Sequence, residues 1–270
     1  TASGTSTVIL TADTPGEAFS VVGTTTEANG DPADSQTFTR AATVANSGPK
    51  DWSCAANWSS GAVPGASSGQ DVYVEDAQIL YGLDQGGISE ALNSLNILRS
   101  SIGTNPASGC LAKYLEIKAA VVNVGLHTGP GSSYETAPIN INTGTTASVI
   151  NIYASATNSS QPAVRIKADS ASTVVNVKSG VVGLAYEAGE TTTIGTLNVT
   201  YTDSKSSDAN VYAGSGLTVT TINIGGGINV IGCATTTINF SAGSLTTYGS
   251  GAITTINQSG GTLTGNSTGT

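Results

Sequence analysis

Acidic side chains between residues 169 and 208 have types and spacings that could act on a polysaccharide. A glycoside hydrolase uses two carboxyl groups roughly 5–10 Å apart. Asp169 could form such a pair with Glu187 or Glu190, and Asp203 with Asp208. A lyase would further need a cationic base beside bound Ca²⁺. From residue 150 onward the cationic side chains are Arg165, Lys167, Lys178 and Lys205. Because Asp203 and Asp208 lie in a polar stretch typical of a solvated loop, we expect no catalytic site, and an enzyme is a minor alternative.

The single histidine and the three cysteines lie too far apart in the sequence to indicate a metal site. Zinc requires clustered thiolates or imidazoles, whereas Cys54, Cys110 and Cys233 are widely spaced and His127 lies in a Gly- and Pro-containing loop with no visible partner. We therefore expect neither a metal nor a cofactor. Cys233 lies in an apolar context that favours a small buried side chain over a reactive thiol. A disulfide between Cys54 and Cys110 is an open alternative without local support.

The charge balance argues against nucleic-acid and membrane partners. Nine Lys plus Arg against eighteen Asp plus Glu give a net charge of −9 and a pI near 4.3. A nucleic-acid-binding surface needs clustered cations, and the nine cations here are dispersed. No apolar run reaches the roughly 18 residues that a membrane-spanning helix needs. Neither a basic nor an apolar leader opens the sequence, so we expect no signal peptide.

Short β-type runs with an internal repeat must position whatever site exists. The repeated phrase is an apolar residue, then Asn, then usually a second apolar residue, and several copies follow a Thr-rich leader. Period-2 alternation places the two apolar residues on one face of a strand and Asn on the other. Many copies are followed, after a Gly or Ser turn, by a second short strand. The copies are centred on Asn96, Asn123, Asn140, Asn151, Asn176, Asn198, Asn223, Asn239 and Asn257.

This repeat predicts an all-β fold, a right-handed parallel β-helix over about residues 70–270. From Asn151 onward the successive Asn spacings are 25, 22, 25, 16 and 18 residues, which indicates one coil per repeat. At about 4.8 Å per coil, about nine coils would span roughly 40 Å. The flanking Ile, Leu and Val should point inward. The Asn side chains should stack along the axis as a structural ladder, formed by Asn151, Asn176, Asn198, Asn223, Asn239 and Asn257.

Three segments are predicted: a polar β segment or anchoring arm at 1–50, a cap at 51–78, and the β-helix at 79–270. Trp52 and Trp58, both tryptophans of the chain, define the cap and should close the apolar end of the solenoid. A carbohydrate-stacking platform is the alternative role for these rings. Residues 209–270 contain no charged side chain. We expect this stretch to be covered in a homo-oligomer, a trimer, because an open sheet edge invites further pairing.

Two parts of the chain carry a family resemblance. Trp52–Glu75, with Asn57-Trp-Ser, Val63-Pro and Asp71-Val, resembles a lead-in found in many bacterial and phage β-helix proteins. Ile79-Leu-Tyr-Gly-Leu-Asp-Gln and Ala252-Ile-Thr-Thr-Ile-Asn-Gln-Ser-Gly-Gly are similar to segments of a family of bacteriophage virion proteins. The resemblance spans about residues 51–270. It implies a structural part of a virus particle and brings no catalytic residues.

We therefore expect a non-enzymatic structural protein on the virion surface: a capsid decoration, a head fibre or a tail-fibre section. Its partners would be copies of itself, other virion proteins and, in one reading, a host-surface glycan. The alternative is a bacterial cell-surface adhesin or passenger-like β-helix. An ice-binding face is disfavoured, because such a face needs Thr-x-Thr on every coil. The sequence pattern assigns Thr235 and Thr237 to the outer face but also places Ile253 there.

Overall fold

Parallel β-strands account for more than half of the described residues. The computed structural model describes residues 52, 54–65, 69–74, 91–98, 114–126, 139–153, 162–200 and 209–267. Within these ranges there are seventeen strands, one short 3-10 helix at Ala55–Asn57 and no α-helix. The predicted all-β class is confirmed. The polar β segment predicted for residues 1–50 lies outside the described residues.

Nine strands form the first sheet, and every neighbouring pair in it is parallel. The sheet contains all but one of the apolar-Asn phrases. In sheet order its strands are β1 Asp71–Val74, β2 Leu92–Leu98, β4 Ala119–Leu126, β6 Val149–Ile152, β8 Val174–Val177, β10 Thr192–Val199, β12 Leu217–Ile224, β14 Ala234–Phe240 and β16 Ile253–Gln258.

The remaining eight strands form a second parallel sheet. Several of these are the second strands that the sequence predicts after Gly and Ser turns, whereas one of them carries the apolar-Asn phrase of Asn140. They are β3 Leu115–Glu116, β5 Ile139–Asn142, β7 Val164–Lys167, β9 Gly180–Leu184, β11 Ala209–Ala213, β13 Ile228–Ile231, β15 Ser244–Gly249 and β17 Thr262–Ser267.

From β2 onward the chain alternates between the two sheets, one strand in each per coil. Each strand therefore pairs with the strand two positions later in sequence, which is the connectivity of a parallel β-helix. The fold predicted from the repeat is confirmed, with two strands per coil. The right-handed sense expected from sequence agrees with the general preference of parallel crossover connections.

From β2 to β14, the apolar residues beside the Asn of each phrase point into the solenoid, as predicted. On the first sheet the inward residues run from Leu95 and Ile97 to Ile238 and Phe240, and all are at most 2% exposed. The second sheet contributes a facing row that includes Ile141, Val182 and Val211, each fully buried. Burying one such side chain is worth about 1.5–3 kcal/mol, so this continuous core stabilises the whole stack of coils.

The structure adds one detail that the sequence pattern does not predict and contradicts another. Asn140 has the same Ile-Asn-Ile phrase as Asn151, yet it lies on β5 in the second sheet, in register with Arg165. The sequence pattern predicts that Thr235 and Ile253 point outward. However, Thr235 is only 5% exposed, and Ile253, its register partner, packs against the core. The apolar-Asn phrase alone does not determine which sheet a strand joins. In the Thr-rich residues before the phrase, the strict alternation of inward and outward side chains is interrupted, so counting back from Asn assigns Thr235 to the wrong face.

The Trp-containing segment packs against the start of the core. Trp52 is fully buried, and its ring meets Trp58 edge-on with centroids 4.8 Å apart. The Trp58 indole N–H donates to the Trp52 carbonyl at 2.8 Å, and the Trp52 indole N–H donates to the Pro64 carbonyl at 3.4 Å. Since Trp52 has no exposed surface, it cannot serve as a stacking platform for a carbohydrate.

Candidate functional site

The outer face of the first sheet is a continuous column of asparagine side chains. Each Asn lies between two inward apolar residues, so the period of two turns it outward, and the in-register pairing of the coils stacks each Asn on the next. The column contains the six predicted ladder residues, extended by two at its start. In order it comprises Asn96, Asn123, Asn151, Asn176, Asn198, Asn223, Asn239 and Asn257.

Seven hydrogen bonds join these eight amides head to tail. In each one the Nδ2 of the later residue donates to the Oδ1 of the preceding residue, over 2.7–2.9 Å. At the start of the column Asn96 Nδ2 donates to Ser94 Oγ at 2.8 Å. Because the amides are engaged with one another, the column acts as a structural ladder along the solenoid axis.

The outer face of the second sheet carries charged and aromatic side chains instead. Arg165 on β7 forms an ion pair with Glu187 at 2.7 Å, and its guanidinium lies 5.2 Å from the ring centroid of Tyr186. Glu190 Oε1 accepts from the Tyr114 hydroxyl at 2.7 Å, and Glu190 Oε2 accepts from the Glu187 backbone N–H at 3.1 Å. The turn after β9 is thereby fastened to two earlier coils.

This fastening changes the acidity of Tyr114. Burial of the hydroxyl raises the pKa of Tyr114 well above its ordinary value, and its hydrogen bond and negative neighbour at Glu190 raise that pKa further. The phenol therefore stays protonated and keeps donating to Glu190 at any physiological pH. Both carboxylates of the turn, Glu187 and Glu190, accept from donors on other coils. We call Tyr114, Arg165, Glu187 and Glu190 the clasp, because their contacts hold neighbouring coils together.

Three tyrosines follow the clasp along the same face, and we call Tyr186, Tyr212 and Tyr248 the tyrosine row. The Tyr186 and Tyr212 rings meet edge to face, with centroids 5.9 Å apart and planes at 73°. Tyr248 on β15 lies over Gly232: a Cβ added at Gly232 would come within 2.4 Å of the ring's Cζ. The Tyr248 side chain is 40% exposed.

The remaining sequence candidates do not converge with the clasp. Asp169 forms an isolated parallel bridge with Thr193, in the connection from the second sheet to the first. Lys178 lies between β8 and β9, where the chain passes from the first sheet to the second, and its ammonium is 4.3 Å from the ring centroid of Tyr153. Within the described ranges no three His, Cys, Asp or Glu side chains come together in a group that could hold a metal ion. Asp203, Asp208, His127 and Cys110 lie outside the described residues.

The two described cysteines lie in different settings. Cys54 is half-buried in the cap. Cys233 is 1% exposed, between β13 and β14, and its burial raises the pKa of the thiol to about 11. A thiol that remains protonated is a poor nucleophile, so Cys233 has the buried structural character that its apolar context predicts.

No family model, no curated protein and no solved structure matches the chain. In the portion that the structure describes, no helix is long and apolar enough to cross a membrane.

Sequence reasoning missed the tyrosine row and most of the clasp. Glu187 and Glu190 were considered only as catalytic acids, whereas Tyr114 contacts Glu190 across 76 residues of sequence. These side chains belong to no repeat. The local signal in the sequence is Gly232. It follows Val230 by two residues, at a position where alternation predicts an outward side chain, and its missing side chain leaves room for a ring.

Proposed function

We propose that this chain is a non-enzymatic structural protein exposed on a bacteriophage particle, as a capsid decoration, a head fibre or a section of a tail fibre. The observation that carries the proposal is the head-to-tail amide ladder. On this regular polar face, the Asn side chains form hydrogen bonds that hold neighbouring coils together. Such a face builds a stiff rod. The resemblance of residues 51–270 to phage virion proteins supports the same assignment.

The clasp supports a role without catalysis. A retaining or inverting glycosidase needs one carboxylic acid that donates a proton and a second that attacks or activates water. Glu187 accepts from Arg165, and Glu190 accepts from Tyr114 and from backbone. The two carboxylates are therefore held as partners of other side chains, and their contacts resemble those of an inter-coil brace.

We also propose that the chain forms a homo-oligomer, a trimer, whose contacts lie within residues 209–270. Ile256 and Leu263 are 36% and 37% exposed, although their register partners Ile238 and Leu245 are completely buried. The described residues 209–267 carry no charged side chain. We therefore expect the surface that covers them to be uncharged as well. A further copy of the same chain provides one.

Self-association is tested by light scattering on the purified chain coupled to size-exclusion chromatography. We expect three copies for the unaltered protein and dissociation for Leu263→Asp, which places a charge in the proposed contact. Val149→Asp is the matched control, because Val149 is 38% exposed on an earlier coil. A monomeric unaltered protein, or equal effects of both substitutions, would contradict the proposed interface.

The virion assignment is tested on particles rather than on the isolated chain. Antibodies raised against the purified protein should label phage particles at fixed exterior positions in electron micrographs, and the chain should remain with particles through a density gradient. Label on the bacterial envelope in place of particles would overturn the proposal in favour of an adhesin. Release of reducing sugar from a host polysaccharide, abolished by Glu187→Gln, would establish an enzyme.

A further inference from the structure

We infer that the tyrosine row is a binding surface for a neutral saccharide. This inference goes beyond the proposed function, since it holds equally on a virion and on a cell surface. It rests on three observations: the placement of Tyr248 over Gly232, the backbone conformation that positions Tyr186, and the distribution of charge around the rings.

Tyr248 has the geometry of a stacking platform. Its Cζ, Cε1 and Cε2 would all lie within 2.8 Å of a Cβ at Gly232, so the ring lies across the glycine with one face against the sheet. With 40% of the residue exposed, the opposite face is available to solvent. Burial of the inner side is also the main reason that the pKa of Tyr248 is raised.

Tyr186 is held against Tyr212 by an unusual backbone conformation. Ala185, the residue before it, has φ of +46°, and it is the only described non-glycine residue with positive φ. That conformation is costly for a residue with a Cβ, and observed outliers of this kind concentrate at functional sites. The turn after β9 thereby brings Tyr186 to the edge of Tyr212.

The charges around the row select the class of ligand. Strands β11 to β17 carry no charged side chain. Among the residues that the structure describes, the cation in contact with the row is Arg165, and it is paired with Glu187. An anionic ligand would find no unpaired cation among these contacts and would meet a chain of net charge −9. A pyranose ring without charge fits, because its C–H face packs on an aromatic face while its hydroxyls bond to tyrosine hydroxyls at the edge.

Binding is tested on the full chain with an array of hexasaccharides of glucose, galactose, mannose and N-acetylglucosamine, with oligogalacturonate and sialylated oligosaccharides as anionic probes. Calorimetry then measures Kd for the neutral probe that binds best. We expect Tyr248→Ala to weaken it about tenfold or more. Gly232→Ala should weaken it similarly, because the new Cβ displaces the ring while leaving it in the chain.

Two substitutions serve as controls. Tyr248→Phe keeps the stacking face and should retain most of the affinity. Tyr73→Ala removes a tyrosine that is 53% exposed on β1, outside the row, and should change nothing. Thermal melting followed by circular dichroism establishes that each variant is folded before its affinity is compared.

A measurement on the unaltered protein covers the case in which the row variants do not fold. Hydroxyl-radical footprinting with mass spectrometry should show that the bound hexasaccharide protects Tyr248 and leaves Tyr73 oxidised as before. The inference is overturned by an array without neutral binders, by binding confined to anionic probes, by unchanged affinity in folded Tyr248→Ala, or by equal footprints at both tyrosines. A virion protein without a glycan site would fail here and still label particles, so the two proposals fail separately.

Discussion

The two sheets share one core and differ in their outer faces. On the first sheet the same side chain, Asn, recurs on eight successive strands, β2 to β16, and bonds to its own copies. On the second sheet the outer positions change from coil to coil, from Arg165 on β7 to Gly183, Tyr212 and Val230 on its successors. On a repeated face, identical side chains can satisfy one another's hydrogen bonds. On a varied face, different side chains remain available to the surroundings.

The first sheet therefore carries the structural ladder, and the second sheet carries the surface that we propose for saccharide binding. A ladder needs identical neighbours at identical spacing, which the in-register coils supply about every 4.8 Å. A binding surface needs different groups at one place, and on the second sheet such a place is Gly232, where the Tyr248 ring of another coil covers the glycine. The predictions below test whether this division holds, in order of expected effect.

The largest effects should be equal on the two sheets. Leu197 on β10 and Leu184 on β9 are both fully buried, so Leu197→Ala and Leu184→Ala should each lower the free energy of unfolding by about 3 kcal/mol. Urea denaturation followed by circular dichroism measures both. If one substitution lowered the free energy of unfolding several times more than the other, the two sheets would contribute unequally to the core and would differ in their inner faces as well as their outer faces.

Next in size is the alkaline effect of Cys233, which lies between the two sheets. Its thiol has a pKa of about 11 in the fold, above the value in the unfolded chain, so the folded state binds this proton more tightly. The stabilisation from the neutral thiol is complete below about pH 9 and is lost as pH rises through about 11. Over that window the unaltered protein should lose about 2 kcal/mol relative to Cys233→Ala.

Urea denaturation of both proteins at intervals across this pH range measures the difference. Tyrosines also ionise there, and comparison with Cys233→Ala removes their shared contribution. Parallel stability curves for the two proteins would show that the thiol titrates normally and that water reaches the interior at this point.

A smaller effect is expected in the ladder. Asn198→Ala leaves Asn176 without a donor and Asn223 without its acceptor, and the half-buried site should lose about 1 kcal/mol of unfolding free energy. Asn257→Ala is the matched control: it is exposed and makes one ladder bond, so a few tenths of a kcal/mol are expected. Equal losses at the two positions would argue against cooperation along the column.

The smallest effect should appear in the clasp. Glu187→Gln removes the ion pair with Arg165 at a carboxylate whose side chain is 47% exposed, and should cost about 0.5 kcal/mol or less. Because exposed charges are screened by salt, this loss should shrink in 1 M NaCl, unlike the loss caused by Asn198→Ala. A salt-independent cost would mean that the clasp acts through packing of Tyr186 rather than through charge.

The sequence by itself determined the inner rows and the ladder. Alternation with a period of two fixes that Leu197 and Val199 share one face and Asn198 the other, and the recurrence of the phrase fixes that Asn stacks on Asn. Both follow from local geometry repeated many times. The same reasoning correctly predicted a second strand after a Gly or Ser turn in several coils, at β9, β13, β15 and β17.

Only the tertiary structure decided which strand joins which sheet and what meets on the varied face. Ile139-Asn-Ile141 and Ile150-Asn-Ile152 are indistinguishable as phrases, yet they lie in different sheets. Tyr114 reaches Glu190 across 76 residues, and Tyr248 covers Gly232 only because β15 stacks beside β13. Turns of unequal length set the register between coils, and a contact that depends on register has no local signature in the residues that make it.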